Sequence, residues 1–149
     1  MTKSDTIHII IIIIINSQSI KVVSAIIVAD GKLLLLQRDD NIKIKDPGCW
    51  QLPGGGVEND EVPDDAIKRE LQEEIGVVPS SLRFLISPTI DVRAYYAKLN
   101  NEETKKIKKG TEGKDLRFFS FSELSQIPLT QKLTNVIKSQ EEILKSLLE

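Results

Sequence analysis

The chain has 149 residues, 40% hydrophobic and 28% charged, with a formal net charge of −2. That is the size and balance of one soluble domain able to bury its own core, and it gives no electrostatic case for duplex nucleic acid as a partner. Cys49 and His8 are the only residues of their kinds, which excludes an internal disulfide and any His- or Cys-cluster metal site; a bound metal must be held by oxygen, and oxygen donors select Mg2+, Mn2+ or Ca2+.

The first unusual stretch is "IHIIIIIIIN", residues 7–16. It is about half of the ~20 apolar residues needed to span a bilayer, so no membrane partner is expected. Its length and the preceding Lys3 would suit a signal-peptide core, but "NSQSIK" offers no small-x-small cleavage site, and a cytoplasmic chain is expected. Unbroken β-branched residues predict a strand buried on both faces, added to a sheet edge and covered partly by a second subunit in a homodimer. Residues 1–19 are thus read as an Ile-rich extension and residues 20–149 as the domain proper.

Within the domain, "IKVVSAIIVA" (20–29) predicts a buried strand, "DGK" (30–32) a hairpin turn and "LLLLQR" (33–38) its antiparallel partner. A polar loop over 39–49 leads into "WQLPGGGVEND", where a proline and three glycines let backbone approach something closely. A helix is predicted from about Pro63, with Asp64 and Asp65 complementing its dipole, Val62 in place of a good cap, and Gly76 as the stop. Its apolar stripe is Ile67, Leu71 and Ile75. "LRFLIS" and "IDVRAYYAKL" predict strands, residues 100–109 a Lys-rich loop, "LRFFSF" (116–121) a further strand, and residues 131–148 a closing helix.

The helix poses a question. "RELQEEIG" (69–76) places Glu70, Glu73 and Glu74 within one narrow arc beside the apolar stripe, where like charges repel by roughly 0.2–0.5 kcal/mol per pair. A wet acidic face is the ordinary explanation for such charges. A carboxylate arc at the edge of a Gly-rich turn can equally hold divalent cations, which offset the repulsion.

The spacing decides between them. Gly55, five residues, Glu61, seven residues, then Arg69-Glu70-Leu71-x-Glu73-Glu74-x-Gly76-Val77 resembles the Nudix box, G-x5-E-x7-R-E-U-x-E-E-x-G-U with U apolar, at every defined position. The resemblance implies an α/β Nudix fold, a mixed β-sheet sandwiched between α-helices. It further implies that Glu73, Glu74 and the Gly55 carbonyl hold a main Mg2+ (or Mn2+), that Glu70 takes a second ion or polarises the attacking water, and that Arg69 and Glu61 form an ion pair orienting the helix, with Gly54 and Gly76 as structural support. One departure stands at Asp60, where members often carry Gly; Asp tolerates a left-handed turn.

Beyond the box, "TEGKDLRFFSF" (111–121) is similar to a Glu-Gly element of nucleotide-hydrolysing members, which makes Glu112 a candidate distal metal ligand or general base. Arg38 matches a phosphate-contacting arginine, and Asn135 is a candidate purine contact. Trp50 is expected in the core, and the lysines at 105, 106, 108 and 109 on a wet loop rather than a polyphosphate funnel. The activity implied is hydrolysis of a nucleoside diphosphate linked to a group X: foremost a nucleoside triphosphate, oxidised ones such as 8-oxo-dGTP included, to the monophosphate and pyrophosphate. ADP-ribose, nucleotide sugars and dinucleoside polyphosphates are the alternatives, with Tyr95 or Tyr96 as a contact for the last. A catalytically dead ligand sensor is the rival of another class.

Overall fold

The computed structural model describes residues 2–149, and the side chains of all of these except 11–18. Helix α1 (Lys3–Ser19) precedes β1 (Val22–Ala29), β2 (Lys32–Gln37), β3 (Trp50–Gln51), β4 (Gly54–Gly56), α2 (Pro63–Ile75), β5 (Arg83–Thr89), β6 (Val92–Lys98), α3 (Asn101–Lys106), β7 (Asp115–Phe119), a 3-10 turn (Ser122–Gln126), α4 (Gln131–Ser139) and α5 (Glu141–Leu147).

Asp30 and Gly31 both take positive φ, 50° and 71°, the pattern of a two-residue hairpin turn joining β1 to β2. The two strands pair only next to that turn, Val28 with Leu33 and Ala29 with Lys32. They then part, and the Gly-rich strand enters the gap: β4 pairs antiparallel with the start of β1, Val23 opposite Gly55 and Ser24 opposite Gly54, while the Ala25 N–H reaches the Pro53 carbonyl at 2.9 Å. On its other edge β1 pairs in parallel with β6 over residues 22–28, and β6 in turn pairs antiparallel with β5. The far edge of β2 pairs antiparallel with β7 along its length, while β3 pairs with the end of β2 on the edge that β1 leaves. The sheet is therefore mixed, as the sequence implied.

Alternation along β1 feeds two cores. Val23, Ala25 and Ile27 point to the face covered by α2, where Ala66, Ile67, Leu71 and Ile75 are fully buried. Ile26 and Val28 point the other way, to Trp50, Phe119, Leu124, Leu133 of α4 and Leu144 of α5. Each full-size aliphatic side chain so buried is worth roughly 1.5–3 kcal/mol. Helices on both faces of the sheet complete the predicted sandwich.

Three predicted elements are corrected. The Ile-rich run is helical, not a strand. Thr2 caps it through the Asp5 N–H, with Asp5 reaching back to the Thr2 N–H, and a helix satisfies its backbone without any partner strand. Ile7, Ile9 and Ile10 are 55%, 44% and 50% exposed, so the first part of the run is not covered on both faces; the burial expected of Ile11 to Ile15 lies outside the described residues. The strand addition on which the expected homodimer rested is absent from the sheet among the described residues. Residues 101–106 form α3 rather than loop, started by a capping box in which Asn100 accepts from the Glu103 N–H and Glu103 from the Asn100 N–H. The closing helix is two helices, broken at Gln140 (φ −127°, ψ 28°). Among the described residues no helix is long and apolar enough to cross a membrane.

Candidate active site

Helix α2 starts at Pro63 behind Val62, whose side chain offers no cap, and ends at Gly76 with φ 74° and its N–H on the Leu71 carbonyl. Its stripe of Ile67, Leu71 and Ile75 fixes the rotation of the helix against β1. That rotation delivers Glu70 and Glu74 to β4. Gly54 (φ 148°) lies so close to β1 that a Cβ there would overlap the Val23 carbonyl, and a Cβ on Gly55 would overlap the Glu70 carboxylate. The glycines thus let two acids rest against backbone.

Glu74 is only 9% exposed, and its Oε1 accepts from the Gly54 N–H at 2.7 Å. Burial raises its pKa to about 8; the Gly54 hydrogen bond opposes this, and the charges of Glu70, Glu112 and Glu73 add to it. Burial likewise raises the pKa of Glu70 against the hydrogen bond and charge of Arg69. Four carboxylates therefore sense one another: three from α2, and Glu112 from the segment before β7. Glu73 is the most open of the α2 three, its side chain 59% exposed.

Arg69 organises the other side. Its Nε and one terminal nitrogen grip Glu61 at 2.8 and 2.9 Å, the same nitrogen donates to the Gly56 carbonyl at 3.0 Å, and the second terminal nitrogen donates to Glu70 at 2.9 Å and lies 3.6 Å from Glu73. A bidentate guanidinium–carboxylate pair fixes orientation as well as charge. The hydrogen bond from Arg69, aided by the Glu58 N–H, lowers the Glu61 pKa to about 2, and the Glu61 grip holds Arg69 firmly protonated. Asp60 takes φ 63°, the left-handed turn expected of it. The Glu61–Arg69 ion pair foreseen in the sequence is thus present and ties α2 to β4.

Residues outside the box were harder to foresee. The segment after α3 closes over the end of α2: the Lys108 N–H donates to the Ile75 carbonyl at 2.9 Å and the Gly110 N–H to the Glu74 carbonyl at 3.3 Å. A Cβ on Gly110 would overlap the Glu73 carbonyl. Gly110 therefore sets how near Glu112, two residues on, comes to the α2 acids. The only sequence signal was a glycine inside a Lys-rich run.

Arg38 is partly committed, its Nε to the Lys45 carbonyl at 2.8 Å and one terminal nitrogen to Gln51 at 3.0 Å, which braces the 39–49 loop. Asn135 is exposed on α4, which packs on the opposite face of the sheet from α2, and accepts from Gln131 at 2.9 Å. Trp50 is buried edge-on against Phe119, 4.8 Å between centroids, in keeping with a core role. The Tyr95 hydroxyl donates to Asp64 in the first turn of α2, and Tyr96 lies under Arg83.

Among the described residues no three His, Cys, Asp or Glu side chains already stand at the spacing of a closed metal cage. Two of the acids are instead held by protein donors, Glu74 by Gly54 and Glu70 by Arg69. The oxygen-only donor set, the raised Glu74 pKa and the open Glu73 side chain nevertheless fit a hard divalent cation, whose charge would offset the burial, and the lesser repulsion from the neighbouring acids, that raise that pKa.

Comparison with known proteins agrees with this geometry. An ADP-ribose pyrophosphatase of Methanocaldococcus jannaschii is 33% identical over 111 residues, 70% of this chain and 64% of that protein. Escherichia coli CTP pyrophosphohydrolase is 48% identical over 58 residues, 39% of this chain and 42% of that protein. The chain thus spans less than two thirds of either relative. The solved structure of a MutT NUDIX hydrolase from Burkholderia pseudomallei matches with a TM-score of 0.64 at 27% identity, over 80% of this chain and 95% of that one. The NUDIX domain family matches residues 19–140, and with the mixed sheet, the Gly-rich strand and the acid-bearing helix all in place, the chain belongs to that family.

Proposed function

We propose that the protein is a Mg2+-dependent (or Mn2+-dependent) pyrophosphohydrolase that cleaves nucleoside triphosphates, oxidised ones included, to the monophosphate and pyrophosphate. The observation that carries this reading is the convergence of Glu74 and Glu70 on Gly54 and Gly55, within electrostatic reach of Glu112, with Glu73 open beside them. Glu73, Glu74, Glu70 and the Gly55 carbonyl would hold the cations. Those cations supply neutralisation of the bridging phosphates and polarisation of the phosphoryl oxygen.

The chain's own residues do the rest. Arg69 keeps Glu70 in place and, through Glu61, fixes α2 against β4, so that the acids meet the substrate without reorganisation. Glu112, on a segment anchored to the end of α2, accepts the proton of the water that attacks phosphorus in line. The anhydride P–O bond breaks, its electron pair leaves with the departing phosphate, and no covalent enzyme intermediate forms. Arg38 would bind phosphate with its uncommitted N–H groups, and Asn135 would contact the base.

A second reading, ADP-ribose as substrate, is favoured by the M. jannaschii relative, which aligns with 70% of the chain. A panel of nucleoside triphosphates, 8-oxo-dGTP, ADP-ribose and dinucleoside polyphosphates, assayed with Mg2+ by formation of the nucleoside monophosphate, tests both. Turnover fastest on a triphosphate supports the first reading. Turnover confined to ADP-ribose replaces it with the second, and metal-dependent binding without turnover replaces both with a sensor.

A further inference from the structure

Between the last turn of α2 and residues 106–111 runs a groove of about 540 Å3, walled by Glu73, Gly76, Lys106, Lys108, Lys109 and Thr111. Three lysines and one glutamate thus line it. The walls are joined by backbone, Lys108 to Ile75 and Gly110 to Glu74. This matters for what the lysine side chains do. A helix C-terminus carries partial negative charge that lysines often offset, but here the carbonyls of Leu71, Glu74 and Ile75 receive backbone N–H donors from Gly76, Gly110 and Lys108. Lys108 is in no ion pair among the described residues. Lys109 donates to the Gly110 carbonyl at 2.7 Å and keeps two further N–H groups.

The groove is lined by Glu73, the most exposed of the three α2 acids, so an anion bound in it would be continuous with a phosphate held at the acids. A sugar or a base has no use for three ammonium groups there. A chain of phosphates does, because Lys recognises phosphate as a point charge and several together raise the local concentration of a polyanion.

We propose that this groove is a subsite for the distal phosphates of the substrate and for the inorganic di- or triphosphate released from it. The inference rests on the pyrophosphohydrolase reading and sharpens it, since the subsite favours substrates whose phosphate chain continues past the scissile bond over those that carry a second sugar there.

The test uses the full chain and inorganic tripolyphosphate as the probe, titrated calorimetrically into wild type, into the Lys106→Gln/Lys108→Gln double variant, and into Lys132→Gln/Lys138→Gln on α4 as a charge-matched control. The groove variant is expected to lose about tenfold in affinity, about one step on the 1.4 kcal/mol scale, while the control stays within twofold. Nucleoside triphosphate KM should rise in parallel with kcat little changed, and KM for ADP-ribose should stay within twofold. Equal affinity in wild type and groove variant, or equal loss in both variants, overturns the proposal. If the wild type hydrolyses nothing in the panel, the pyrophosphohydrolase reading fails, yet the tripolyphosphate titration still decides the groove. A thermal melt of each variant shows that the fold is kept.

Discussion

Two helices of this chain, α1 and α2, both carry branched aliphatic residues, and they behave in opposite ways. In α2 the apolar residues recur every four positions, and Ile67, Leu71 and Ile75 are all fully buried against the sheet. In α1 they run without a break, so no face is singled out, and Ile7, Ile9 and Ile10 stand exposed. Spacing, more than apolar content, fixes a helix's rotation. Fixed rotation is what a site needs: because one side of α2 is locked, Glu70 and Glu74 are delivered to β4 with Glu73 open beside them.

The contrast can be broken most sharply in the core. Leu71→Ala should cost about 2–5 kcal/mol in denaturant unfolding, whereas Ile9→Ala should stay within about 0.5 kcal/mol; similar costs at the two positions would remove the distinction. A smaller loss is expected at the contact that positions Glu112. Gly110→Ala forces a methyl group onto the Glu73 carbonyl, and a shift of the segment by a fraction of an ångström should lower kcat by about 10–100-fold, with less than about 3 kcal/mol lost in stability. Unchanged kcat would return Gly110 to an ordinary loop role.

A third effect is a slope. The folded pKa of Glu74, about 8, lies above the ordinary carboxylate value of 4.5, so the folded chain holds this proton more tightly than the unfolded chain does. That contribution to stability is full below about pH 4.5 and is lost as pH rises towards 8. The metal-free Tm should therefore decline over this window, and Glu74→Gln should flatten the decline. An equally steep decline in the variant would assign the slope elsewhere. The smallest effect is expected from deleting residues 1–17, which should leave kcat and Tm within experimental scatter, since the acid cluster draws no contact from α1 among the described residues.

What could be read ahead of the structure follows the same division. The hairpin at Asp30 and Gly31, the stripe of α2, the Gly76 stop and the Glu61–Arg69 pair are all local or strongly spaced signals, and they are present as expected. The Ile-rich run misled because β-branched residues favour strands only weakly, and a capped helix that satisfies its own backbone overrides so small a preference. Helix α3 was legible in principle from Asn100 and Glu103, but the lysines after them drew attention to charge instead of capping. Gly110 was not legible at all, because its constraint is contact with the Glu73 carbonyl, a residue far from it in sequence.

The central claim, that the acids of α2 are gathered on Gly54 and Gly55 to hold divalent cations, is tested most directly by the Mg2+ dependence of Tm at pH 8, in wild type and in Glu73→Gln. The wild type is expected to gain stability progressively with Mg2+, as any ligand binding only the folded state requires. Glu73→Gln should match or exceed the metal-free wild type, respond far less to Mg2+, and lose about 10²–10³-fold in kcat. A Tm indifferent to Mg2+ in both proteins, or a Glu73→Gln variant with the wild-type response and wild-type turnover, would contradict the account.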